Sequence, residues 1–183
     1  MHLLESYALV SGSTIDKCFI QTEHFELPFD KYVTIHTDCQ KSSARQYKYW
    51  DKVISLLQNN PLFTLPIVQI GSSVDFKHLV NLNLLGMTNI NQLAHVIKNS
   101  SLHIGYDSFP MHLASHFDIK MVILFSYFVE NSGPYFSSLK NIRLLEPNFT
   151  NIKPSFSYND PYDLINTIDP IIVYNNIIDL LQI

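Results

Sequence analysis

The sequence predicts an α/β domain, a parallel sheet covered by helices on both faces. Three observations predict it. Segments of strand and helix periodicity alternate along the chain at the spacing of βαβ units. The run Lys120 to Phe125 is apolar enough to be buried on both faces, as a central parallel strand must be. The chain has 183 residues and is 46% hydrophobic, which is material for one sizeable core.

The elements follow in order. Met1 to Gly12 reads as a short helix stopped by glycine. Residues 13–31 contain Pro28 and read as a connector. Tyr32 to Thr37 is β-branched and bounded by polar residues, a first strand. A polar loop follows over 38–45. Tyr47 to Asn59 predicts a helix, because Trp50, Val53, Ile54 and Leu57 recur at helical spacing before Asn60-Pro61. Pro66 to Ile70 is a second strand, ended by Gly71. The stretch around Leu82, Leu84 and Leu85 is weaker.

Asn89 is a good helix N-cap, and Ile90, Leu93, Ala94 and Ile97 share one stripe behind it. Leu102 to Gly105 is a third strand. Asp107 or Ser108 caps the next helix, which has Pro110 in its first turn and runs to about His116. Lys120 to Phe125 is a fourth strand and Asn141 to Leu145 a fifth. Asp169-Pro170 opens a terminal helix with Ile171, Tyr174, Ile178 and Leu181 on one face. No repeat of 20–50 residues is present.

Composition excludes several functions. The formal net charge is −4, from 12 Lys plus Arg and 16 Asp plus Glu. The densest basic stretch, Lys41 to Lys52, spreads four cations over twelve positions. Nucleic-acid binding needs many phosphate contacts and is not expected. The chain holds 5 glycines, where average usage would give roughly 13. Neither glycine-rich phosphate-loop motif occurs, so a bound nucleotide must be held another way. Cys18 and Cys39 are two widely spaced thiols and read as reduced. The N-terminus lacks the basic region of a signal peptide, and no apolar run reaches the roughly 20 residues of a membrane span. The expectation is a cytoplasmic protein, with peripheral membrane contact left open.

In open α/β sheets ligands bind beyond the carboxyl ends of the strands. The most informative segment there is Ile104-Gly105-Tyr106-Asp107-Ser108-Phe109-Pro110-Met111-His112-Leu113-Ala114-Ser115. A strand ends, and a helix begins with Asp and Ser at its start and His112 one turn in. A helix N-terminus carries unpaired N–H groups and roughly half a positive charge, which suits a diphosphate. The competing reading makes Asp107 a plain cap and His112 a packed core histidine. His112 and His116 are spaced for zinc but lack a third ligand, and no metal is expected. His36 and Cys39 lie on one short segment without an orienting partner, so thiol chemistry is not expected either.

This segment, followed by Lys120-Met121-Val122-Ile123-Leu124-Phe125, resembles the signature of glycosyltransferase family 9, the ADP-heptose lipopolysaccharide heptosyltransferases. That family carries D-[ST]-G-x-x-H-x-A between a strand and a short helix. Tyr32 to Thr37, Lys48-Tyr49-Trp50, Val68 to Gly71 and Gly86 to Ala94 resemble further family segments in the same order. The resemblance implies a Rossmann-like domain, the C-terminal half of a two-domain GT-B enzyme of lipopolysaccharide biosynthesis. Residues 1–30 would be a linker and helix, and residues 31–183 the nucleotide-sugar-binding domain.

Carried over by position, the resemblance places Asp107, Ser108 and His112 around the diphosphate and donor sugar. Lys48, or alternatively Arg45, would neutralise phosphate; a solvated helix face is the competing reading for both. Gly71 would let the backbone approach the nucleoside, with Thr37 beside it. Asp75 would take the ribose hydroxyls, or is simply an exposed loop acid. Thr88 would lie near the base, or is a turn residue. Two glycines of the family pattern are replaced, by Phe109 and Ser126. The family's catalytic base belongs to the half this chain does not match, and no residue here is a convincing substitute, so the catalytic residues are left unassigned; Asp38 is a candidate only by its nearness to the site. The implied ligand is a nucleotide sugar. The implied partner is a chain carrying the acceptor domain, and transfer would invert the anomeric centre. The alternative is a non-catalytic nucleotide-binding or scaffold module that kept the fold.

Overall fold

The computed structural model describes residues 1–38, 45–74, 77–126, 129–147 and 163–183. Six parallel strands form one sheet in the order β3-β2-β1-β4-β5-β6. They are β1 (Val33–His36), β2 (Ile67–Ile70), β3 (Leu82–Asn83), β4 (Leu102–Tyr106), β5 (Met121–Leu124) and β6 (Ile142–Leu145). The four inner strands β2, β1, β4 and β5 are buried at every position. Their Val, Ile and Leu content reflects this, because helices cover both faces of a parallel sheet.

The helices are α1 (Leu3–Ser11), α2 (Trp50–Gln58), α3 (Ile90–Lys98), α4 (Phe109–His116), α5 (Val129–Ser132) and α6 (Pro170–Leu181). α2 and α6 pack on one face, where Trp50, Val53, Ile54, Leu57, Val173, Ile177 and Leu180 meet Val33, Ile35, Ile104 and Val122. α3 and α4 cover the other, with Ala94, Ile97, Met111 and Ala114 against Val68, Ile70, Met121 and Ile123. Ile20, Phe25, Leu27 and Phe29 of the connector pack on that second face. Glu23 ties the connector to α3, accepting from Asn89 Nδ2 at 2.9 Å and Gln92 Nε2 at 3.0 Å.

Caps explain several boundaries. Gly12 ends α1 at φ 68°, and its N–H donates to the Ala8 carbonyl. Asn89 and Gln92 form a reciprocal capping box on α3. Asp169 accepts from the Ile171 N–H, and Pro170 begins α6.

Among the described residues the structure departs from expectation most clearly at β3, α5, α2 and α6. The weak stretch near Leu82 is a sixth strand of two residues, too short to show periodicity. α5 is an additional helix of four residues, hidden from the sequence pattern for the same reason. α2 starts at Trp50, three residues late. On α6 the fully buried stripe is Val173, Ile177 and Leu180; Tyr174, Ile178 and Leu181 flank it, and Ile171 is exposed. That helix is apolar almost all round, so sequence alone does not select its inner face.

Candidate functional site

The strand order reverses between β1 and β4. The chain runs outward from β1 to β2 and β3, then returns to β4 on the other side of β1. Carboxyl ends at such a switch point leave a crevice. Here its walls are His36, Thr37 and Asp38 at the end of β1, and Tyr106, Asp107 and Ser108 at the end of β4. The β1–β4 ladder pairs Val33 to Ile35 with Leu102 to Ile104 and goes no further.

Asp107 is at the centre. Its Oδ2 lies 3.6 Å from the Arg45 guanidinium and accepts a 3.0 Å hydrogen bond from Ser132 Oγ of α5. Ser108 occupies the N-cap position of α4 without capping it. The second helical residue is Pro110, which has no N–H to offer. The third, Met111, donates its N–H to the Ser108 carbonyl at 3.0 Å. The Ser108 hydroxyl turns instead to His36 Nδ1 at 3.1 Å and to the Tyr106 carbonyl at 3.2 Å. His112 stands one turn along α4 with an exposed edge. Desolvation on its inner side lowers its pKa; Asp107 opposes this and His2 adds to it. His2 reaches this region because its ring, which caps α1 through Nδ1, donates Nε2–H to the Gly133 carbonyl at 3.0 Å.

His36 is 7% exposed, and burial pushes its pKa down to about 4 against the opposing charge of Asp38. His103, beneath it on β4, is fully buried and pushed to about 3, with His36 adding to the effect. Its Nδ1 meets Thr34 Oγ1 at 3.0 Å, and its Nε2 has no hydrogen-bond partner among the described residues. Both rings are neutral near pH 7.

The sequence-predicted residues divide. Arg45, Asp107, Ser108 and His112 come together. Lys48 does not join them. Its Nζ pairs with Asp163 at 2.5 Å, and its N–H donates to Asn166 Oδ1 at 2.7 Å. Thr37 is buried and accepts from Gln69 Nε2 at 2.8 Å. Gly71 has φ 153°, and a Cβ there would sit 2.8 Å from Leu85 Cδ2 and 3.2 Å from Asp38 Cβ. Its glycine thus admits Asp38 and Leu85. Thr88 is half-buried just before the α3 cap. Asp75 lies outside the described residues, as does Cys39. Asp38, the candidate base, is buried, and its Oδ2 accepts from Ser72 N–H at 3.1 Å, Ser72 Oγ at 2.7 Å and Ser73 N–H at 3.1 Å. That oxygen holds the turn after β2.

Three further contributors are not legible as site members in the sequence: His36, Ser132 and His2. For His36 one signal exists, its position at the end of β1 beside the switch point. Ser132 and His2 arrive through α5 and α1, and no spacing connects them to Asp107. Among the described residues no group of three or more His, Cys, Asp and Glu is placed to hold a metal ion. No helix among them is long and apolar enough to cross a membrane.

The sheet order and the helices on both faces define an α/β domain of the GT-B glycosyltransferase type. Residues 16–164 match the profile of glycosyltransferase family 9 (heptosyltransferase), and the chain belongs to that family. No curated protein matches the sequence. Solved structures share the fold. A glycosyl transferase family 9 protein from Veillonella parvula DSM 2008 aligns with TM-score 0.66 and 15% identity, over 83% of this chain and 46% of its own. E. coli ADP-heptose LPS heptosyltransferase II gives 0.63 and 16%, over 97% of this chain and 51% of its own. E. coli heptosyltransferase WaaC, solved with ADP, gives 0.60 and 14%, over 84% and 46%. The chain spans about half the length of these proteins.

Proposed function

We propose that this glycosyltransferase-family chain is a donor module that binds a nucleoside-diphosphate sugar of the ADP-heptose type at the β1–β4 crevice. Residues 31–183 form the donor domain, and residues 1–30 are its linker and helix. The observation that carries the reading is the convergence of Arg45, Asp107, Ser108 and His112 at the switch point of a family 9 chain. Arg45 meets the diphosphate charge beside the α4 terminus. His112, held neutral, offers one hydrogen bond to phosphate or sugar. Asp107 accepts from sugar hydroxyls.

Transfer with inversion then needs an acceptor domain on another chain or segment. Its base removes the acceptor hydroxyl proton as that oxygen attacks the anomeric carbon, and the sugar–phosphate C–O bond breaks to release the nucleoside diphosphate. The setting proposed is the cytoplasmic side of lipopolysaccharide assembly.

Calorimetry with ADP- and UDP-sugars tests the module. Wild-type protein binds one class, and Asp107→Ala and His112→Ala weaken it. Absence of binding to any nucleotide sugar refutes the reading. A second reading, a non-catalytic binding module, is favoured by Phe109, half-exposed where the family motif has glycine, and by the full engagement of Asp38 Oδ2. Mass spectrometry of the native assembly separates the two. A stoichiometric acceptor-domain partner supports the enzyme, and a lone chain supports the module.

A further inference from the structure

Beyond the last β1–β4 pair, Ile35 with Ile104, a side-chain bond crosses the opening crevice from His36 to Ser108. The Ser108 hydroxyl has one hydrogen and two polar neighbours, His36 Nδ1 and the Tyr106 carbonyl. A carbonyl only accepts, so the hydroxyl donates to Tyr106. Both contacts then hold only if His36 donates from Nδ1–H. We propose that His36 is a positioning residue for the turn bearing Asp107 and Ser108, clamping it to β1 through an Nδ1–H donated to the Ser108 hydroxyl.

The surroundings support a fixed clamp. The His36 ring is nearly buried and stands edge-on to Tyr106, with centroids 6.4 Å apart. Gly105 runs so close beneath that a Cβ there would lie 3.1 Å from the His36 carbonyl oxygen and 3.3 Å from both His36 Cβ and His103 Nε2. Among the described residues, the charged and titratable groups facing the ring are Asp38 from its own strand end and His103 and Tyr106 from β4. Burial keeps the ring neutral near pH 7, so a single ring proton must be shared out, and the Ser108 contact claims it at Nδ1. Ser108 is available because Pro110 removes one α4 amide and the Ser108 carbonyl already takes the next. The Asp107 backbone is thereby held at both sides, by β4 and by this bond. The role toward ligand rests on the donor-binding reading above; the clamp itself does not.

Nitrogen-15 NMR of the histidine rings reads the tautomer directly, and calorimetry with ADP as probe reads the consequence. The expected spectrum shows neutral His36 protonated at Nδ1, and Ser108→Ala relaxes that preference. His36→Ala is expected to weaken ADP binding about tenfold, the effect of removing one well-placed hydrogen bond. His36→Asn, whose amide N–H can replace Nδ1–H, should restore most of it, which a simple loss of ring volume would not allow. An Nε2–H tautomer in the wild-type protein overturns the clamp. Folded His36→Ala protein that binds ADP like wild type overturns the positioning role. If His36→Ala does not fold, His36→Asn and the wild-type tautomer still decide. Wild-type protein with the Nδ1–H tautomer but no uptake of ADP or any nucleotide sugar overturns the donor-site reading and the ligand role with it.

Discussion

The guanidinium of Arg45 stands 3.6 Å from the carboxylate of Asp107, joining the segment before α2 to the turn between β4 and α4. Lys48, only three residues on, faces Asp163 instead. The two cations that sequence could not separate are therefore separated by their partners. On the proposed donor-site reading, Arg45→Ala should weaken ADP binding by about tenfold, because it would remove a charge-assisted interaction with phosphate, while Lys48→Ala should change it less than about twofold. Equal effects of the two variants in calorimetry would contradict this division.

Gly71 should be intolerant of a side chain. Its φ of 153° and the 2.8 Å distance from an added Cβ to Leu85 Cδ2 combine strain with overpacking. Gly71→Ala is expected to cost about 2–4 kcal/mol in urea unfolding. Gly12 also has positive φ, 68°, but opens to solvent, so Gly12→Ala should cost about 1 kcal/mol. Similar values for the two would show that crowding at Gly71 is relieved easily.

Acid should destabilise the fold early. His36 and His103 are pushed down to about 4 and about 3, so the folded state keeps them neutral. The unfolded chain takes up these protons near pH 6.5. Stability is complete above that value and falls as pH drops toward the folded pKa values, by up to about 1.4 kcal/mol per pH unit for each group. His95, His112 and His116 shift in the same direction and add to the slope. Urea midpoints at pH 8, 6 and 5 check it, and His103→Leu should flatten the curve. A midpoint unchanged from pH 8 to 5 would refute it.

Tyr106 joins strand to helix under the site. Its hydroxyl accepts from Trp50 Nε1–H and from the Tyr47 N–H at 3.3 Å, and its ring meets the indole edge-on. Tyr106→Phe leaves buried donors without that acceptor and should cost about 1–3 kcal/mol. Trp50 is the single tryptophan, so its emission should shift in the same variant. An unaltered emission and unfolding midpoint would count against the contact.

Much of this is legible in local sequence. β1, β2, β4 and β5 are short runs of β-branched and aliphatic residues between polar or glycine stops, and α2 and α3 show a clear stripe. The turn with Asp107 and Ser108 can be placed because it follows a strand and precedes a proline-bearing helix. β3 and α5 cannot, since two strand residues and four helical residues cover only about one repeat of their periods and show no pattern. Propensity assigns Ser108 to a cap that its hydroxyl does not make, because propensity counts hydroxyls and not the donor N–H that Pro110 removes.

By itself the sequence determined the layered α/β class and the resemblance that the family match bears out, and it pointed to the turn after β4 as a candidate site. Those depend on periodicity and on residues close together in the chain. The tertiary structure alone decided that β4 returns to the side of β1, which creates the crevice. It alone set Arg45 beside Asp107 and Lys48 beside Asp163, turned Asp38 toward Ser72 and Ser73, and set His36 against Ser108. Such choices compare partners on segments far apart in the chain, as His36 and Ser108 are at a separation of 72. They are settled by burial and by the partners available when strands pack, which no local pattern encodes.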